Sequence, residues 1–151
     1  MQHIAYMKKS FGFLPKIISG KKTIESRWYA TKRAPWGTIA KGDTVYFKNA
    51  GEPVTVRAKV SHVISFSDLT PRTIRSIINQ YGTAIGIEEK NQRAFFASVK
   101  NKNYCVLVFL KKPKSIRPFT IDKTGFGAMT AWISTQSVKS LSITRHHSNI
   151  R

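Results

Sequence analysis

The chain has 151 residues, 26 Lys plus Arg against 7 Asp plus Glu, 41% hydrophobic content and one cysteine. A single domain of this length buries roughly two-thirds of its unfolded surface, so it needs no disulfide staples, and Cys105 alone could supply none. The formal charge of +19 attracts polyanions, ordinary hydrophobic content argues against wholesale disorder, and no apolar run approaches the ~18 residues of a membrane span.

Lys8 and Lys9 interrupt the N-terminus where a signal peptide would carry its apolar core. The expectation is a soluble, cytoplasmic protein with one domain over residues 1–143 and a polar basic tail over 144–151. The cations concentrate in residues 8–33 and 90–123, where Glu25 and Asp122 are the respective acids. No long amphipathic helix accompanies them, so nucleic acid is preferred to a membrane surface as partner.

In chain order, His3–Met7 alternates and reads as a strand. Phe11, Leu14, Ile17 and Ile18 have helical spacing, which predicts a short amphipathic helix over Phe11–Ser19 with Gly20 as its cap. Thr23–Tyr29 is strand-like, and Ala30–Gly42, with Pro35, Gly37 and Gly42, reads as a long loop. Thr44–Lys48 and Val54–Phe66 flank a turn at Asn49–Pro53 and form a hairpin. Thr70 is an N-cap with Pro71 at the first helical position, and that helix runs through Ile74, Ile77 and Ile78 to a stop at Gly82. Ile87–Lys100 reads as another helix. Tyr104–Leu110 is an apolar run of strand length, in which Cys105 is a buried small hydrophobe rather than a nucleophile. Phe119–Ile121, Ala131–Ile133 and Val138–Ile143 add short strands. Many short strands with three inserted helices argue for a small, partly closed β-barrel with helical additions.

Several motifs fail. Ser19-Gly20-Lys21-Lys22-Thr23 lacks the upstream glycine and the Ser or Thr that a phosphate-binding P-loop requires, and a helix precedes it rather than a strand. Gly125-Phe126-Gly127 resembles an RNA-recognition-motif strand, yet Ala128 and Ala131 stand where stacking aromatics are needed. His3, His62, His146 and His147, with one cysteine and scattered carboxylates, offer no metal-ligand spacing, and the last two read as a tail. No cofactor or metal is implied.

Gly20-Lys21-Lys22-Thr23-Ile24-Glu25-Ser26-Arg27 is the most informative segment. Alternation puts Thr23, Glu25 and Arg27 on one strand face, and Lys22, at the turn, is free to lean over it. Glu25 then either pairs with Arg27 or Lys22 to hold the strand ends, or lines a cleft. In the cleft, Lys22 and Arg27 hold phosphate and Glu25 accepts from a base amino group. The two readings are compatible.

The spacing G-x-K-x-x-E-x-R, matched by Gly20, Lys22, Glu25 and Arg27, resembles the signature of the ASCH domain, within the PUA-like superfamily. The similarity extends from His3 to about Trp132 and takes in Pro35-Trp36-Gly37, the Gly42–Lys48 strand and the Gly51–Val54 turn. It implies an α+β fold: a small PUA-like β-barrel of five to six mostly antiparallel strands with about three flanking helices and a cleft beside the motif. It also implies RNA or a nucleoside as partner. One branch of the superfamily is similar to amidohydrolases that deacetylate N4-acetylcytidine with a lysine, a threonine and a glutamate. Lys22 matches that lysine, Glu25 stands in place of the threonine, and the sequence does not place the distant glutamate. Ribonuclease activity in the wider family would use Lys22 with a nearby hydroxyl, Tyr46 or Ser26. Lys22, Glu25 and Tyr46 are therefore the catalytic candidates of the hydrolase alternative.

Between motif and hairpin, Arg27, Lys32 and Arg33 interleave with Trp28, Tyr29 and Trp36. Unpaired bases stack on such aromatics while cations track the backbone. Trp36, in the Pro/Gly loop, is the expected exposed platform, and Lys48 ends the next strand close by. The expected nucleic-acid contacts are thus Lys22, Glu25, Arg27, Lys32, Arg33, Trp36 and Lys48.

Overall fold

The structure, a computed structural model, describes residues 1–127 and 129–143. The expected tail over 144–151, His146 and His147 within it, and Ala128 lie outside the described residues. Among the described residues seven strands form: β1 (Gln2–Met7), β2 (Ile24–Tyr29), β3 (Thr44–Asn49), β4 (Val54–Phe66), β5 (Tyr104–Ile121), β6 (Trp132–Thr135) and β7 (Ser142–Ile143). The α-helices α1 (Phe13–Ser19), α2 (Pro71–Ile85) and α3 (Glu89–Val99) flank them. The sheet order is β2-β5-β4-β3-β1-β6, with β7 added to the end of β5. Among the described residues only β1 and β3 pair in parallel. The sheet curls around a core that includes Ala5, Ile17, Ile24, Val45, Phe47, Val60 and Leu107, which gives the expected small α+β barrel, left open between β2 and the β1–β6 edge.

The elements differ from expectation where tertiary contacts override local signals. The helix predicted from Phe11 starts at Phe13, because Gly12 adopts a left-handed φ of 63° and separates α1 from a 3-10 turn over Lys9–Phe11. The second strand begins at Ile24 rather than Thr23. α2 has the expected Thr70 cap, which accepts from the Thr73 N–H, but it passes Gly82 and stops at Gly86, whose φ is 99°. Gly82 lies against α3: a Cβ there would come within 2.9 Å of the Gln92 amide, which would have to shift. The short strands expected at Tyr104–Leu110 and Phe119–Ile121 are one strand of 18 residues. Its Lys- and Pro-rich middle reads as a break locally, but pairing with β4, with register shifts along the way, carries the strand through. The strand expected over Val138–Ile143 is a 3-10 turn, Val138–Leu141, followed by β7. Cys105 is fully buried, as expected, and burial pushes its thiol upward.

Candidate nucleic-acid interface

Glu25 and Arg27 share a face of β2, and Lys22 reaches the same point from the turn after α1. Lys22 does not lean over the surface as the sequence suggested: it is 1% exposed. Its Nζ donates to Ile24 O at 2.8 Å, Ile85 O at 2.6 Å and Glu25 Oε1 at 2.9 Å. Three acceptors use three protons, so the amine is an ammonium. It also sits 4.2 Å from the Phe13 ring centroid. Burial pulls Lys22 below the ordinary lysine range, against the opposing charge of Glu25. Burial pushes Glu25 upward, but the charges and hydrogen bonds of Lys22 and Arg27 outweigh it and hold the carboxyl below its ordinary range.

Arg27 spans the open side of the barrel. Its Nε donates to Glu25 Oε2 at 2.8 Å, Nη1 to Ala131 O at 3.2 Å and Nη2 to Tyr6 O at 3.1 Å. One side chain thus ties β2 to the opposite edge of the curled sheet. A guanidinium has five N–H donors. A fourth is directed at the Met7 sulfur, 3.4 Å away, and the guanidinium also hydrogen-bonds the Tyr29 side chain, so the protein itself engages this fork throughout. The guanidinium carbon lies 5.1 Å from the Trp132 ring centroid.

A buried network fixes Trp132 in turn. Its indole N–H donates to His3 Nδ1 at 3.1 Å, so Nδ1 is an acceptor, and the Ser134 hydroxyl lies 3.0 Å from the same atom. His3 Nε2–H then donates to Asp43 Oδ2 at 2.8 Å, which defines a neutral tautomer. Burial lowers the His3 pKa, although Asp43 opposes it. A folded-state value below the unfolded one means that the unfolded chain binds the extra proton first. The stability contributed by neutral His3 is therefore present above about pH 6.5 and declines as pH falls through the lowered native value. Urea unfolding from pH 7 to 5 is expected to show that decline, and His3→Gln to flatten it. An unchanged slope in the variant would remove His3 from the account.

A cavity of about 300 Å³ opens beside this cluster. Glu25, Arg27, Phe11, Phe13, Trp28 and Phe95 are among its walls, and Lys8 and Lys102 also line it. Trp28 meets Phe95 edge-on at 5.9 Å, and its indole N–H donates to Ser26 Oγ at 2.9 Å. The predicted residues do not all converge here. Lys22 lies behind Glu25, outside the lining. Arg33 faces a separate cavity with Tyr29 and Trp132. Trp36 is half-buried rather than an exposed platform, because it packs edge-on against Tyr104 at 5.1 Å; the Lys32 ammonium sits 5.7 Å from its ring centroid. Tyr46 and Lys48 project from the sheet face opposite core residues Val45 and Phe47. Lys48 is buried there over the Tyr6 ring at 4.4 Å, and its pKa is lowered by burial and by Lys123. Tyr46 packs on Phe119. Sequence reasoning missed Phe11, Phe13 and Phe95 as walls, and His3 and Trp132 as supports. Their roles depend on elements far apart in the chain.

No family model matches the chain, and no curated protein matches it. Solved structures do. ASCH from Zymomonas mobilis matches at 16% identity and TM-score 0.64, over 94% of this chain and 96% of that one. A point mutant of the same protein matches at 17% identity and TM-score 0.65, over 92% and 93% of the two chains. The fold is therefore that of an ASCH domain, as the motif and hairpin suggested.

Proposed function

We propose that the protein binds RNA and takes one unpaired base or nucleotide into the cavity beside Glu25 and Arg27. The observation that supports this most is the composition of that cavity: aromatic walls closed on one side by an ion pair whose carboxylate keeps acceptor capacity. Each Glu25 carboxylate oxygen accepts one bond from the protein and retains a lone pair for a base amino group. Arg27 supplies a fixed positive charge, the aromatic side chains supply stacking worth ~1–3 kcal/mol per base, and Lys8 and Lys102 supply positive charge for phosphate. Lys22 acts through Glu25, which it holds ionised and in place.

Binding of a labelled single-stranded RNA, measured over a salt series, tests the reading. Neutralising roughly six phosphates gives a slope of log K against log[salt] of about −4 to −5. Preference among RNA sequences is expected at constant salt. A flat salt response, or equal affinity for heparin and every RNA, would leave only a cationic shell. Release of acetate from N4-acetylcytidine, or cleavage of the RNA, abolished by Glu25→Gln, would replace binding by hydrolysis as the function.

A further inference from the structure

A second cationic feature lies away from the cavity. The paired stretch of β4 and β5 exposes Arg57, Lys59, Lys111, Lys112, Lys114 and Arg117, and neither strand contains an acid. The register places Arg57 opposite Lys114 and Lys59 opposite Lys111. Like charges directly opposite one another destabilise a sheet. None of the six pairs with a carboxylate among the described residues. Lys59 donates to the Thr44 hydroxyl at 2.7 Å, which steers its chain without neutralising it. Val56, Ala58 and Val60 are buried in the core, so the alternate positions Arg57 and Lys59 face outward. A left-handed φ of 52° at Lys112 marks the bulge that crowds these cations together.

This surface suits phosphate rather than bases or lipid. Among the described residues, none of the exposed large hydrophobics, Met1, Phe11, Ile18, Phe126, Met129 and Ile143, stands among these six cations, so the stretch offers no wedge for a bilayer; the exposed ring on β4, His62, lies beyond it against Phe109. The same strand, β5, runs from beside the motif to the ribbon. Val106 and Val108 pair with Arg27 and Glu25, and Lys114 lies further along the same strand, at most about 26 Å from Val106 at ~3.3 Å per residue. We infer that the β4–β5 ribbon is a phosphate track for the RNA flanking the nucleotide held in the cavity. This inference rests on the RNA reading above.

The test compares Arg57→Thr/Lys114→Thr with Lys41→Thr/Lys139→Thr, which removes the same charge from exposed sites elsewhere. Threonine suits a strand, and loss of the opposed pair is expected to raise the melting temperature, which shows that the variant folds. For an RNA of about 20 nucleotides, the ribbon variant should have a salt slope shallower by about 1.4–1.8, at ~0.7–0.9 per lost phosphate contact. Mononucleotide binding should be unchanged, and the control variant should resemble wild type with both ligands. Equal slopes in the two variants would overturn the ribbon, as would equal competition by polyglutamate and RNA. Failure of wild type to bind a mononucleotide would count against the cavity alone, because the long-RNA comparison reads the ribbon separately.

Discussion

Replacing Lys22 with methionine is expected to lower the unfolding free energy by about 3–5 kcal/mol, the cost of removing one partner from a buried ion pair. Methionine fills similar volume and keeps contact with Phe13, so the loss reports charge and hydrogen bonding rather than a cavity. Three bonds disappear, and the carbonyls of Ile24 and Ile85 lose their shared donor. Glu25, 4% exposed, would keep only Arg27. The double variant Lys22→Met/Glu25→Gln should recover part of the loss, because no carboxylate charge is then left under-compensated. The pH dependence follows from the same pair. Glu25 has a lowered pKa in the folded state, so its contribution is present above about pH 4.5 and is lost as pH falls through the lowered value. Removing Lys22 raises the folded-state value toward the unfolded one, so that acid loss should shrink. Lys21, the exposed neighbour, is the control. If Lys22→Met and Lys21→Met unfold at the same urea concentration, the ammonium is not the anchor described here.

What was legible in the sequence follows from the range of the forces involved. Local signals placed α2, because Thr70, Pro71 and the isoleucine spacing act within a few residues, and they placed the β3–β4 hairpin. They also placed Glu25 with Arg27, since a strand's period of two needs no tertiary information. The direction of Lys22 was not legible. Its burial depends on Ile85 O, which α2 delivers only after passing Gly82, and Gly82 reads as a helix stop until Gln92 is seen against it. The course of β5 was hidden in the same way: Lys111 to Pro118 has the composition of a loop, and only the facing β4 makes it a strand. Tyr46 and Lys48 looked close to the motif because β3 follows it closely in the chain, but the alternation of β3 turns both away from the core face.

Arg27→Gln is expected to weaken RNA binding by about 10–100-fold, the equivalent of ~1.5–3 kcal/mol for a hydrogen bond to a charged group. Glutamine retains a polar head but loses the charge and the reach that joins Glu25 to Tyr6 O and Ala131 O across the open side of the barrel. Some stability should go with it, so affinity is measured well below the melting temperature of each variant. Arg27→Lys separates charge from shape: a lysine keeps the positive charge but cannot offer a planar fork to three acceptors and stack on Trp132. It should therefore bind RNA nearly as poorly as the glutamine variant. Arg72→Gln removes the same charge from the exposed face of α2 and should cost little. If Arg27→Lys binds like wild type, the site uses charge alone and the geometry around Glu25 is structural. If Arg27→Gln also binds like wild type, the base-sized cavity is not where RNA is held.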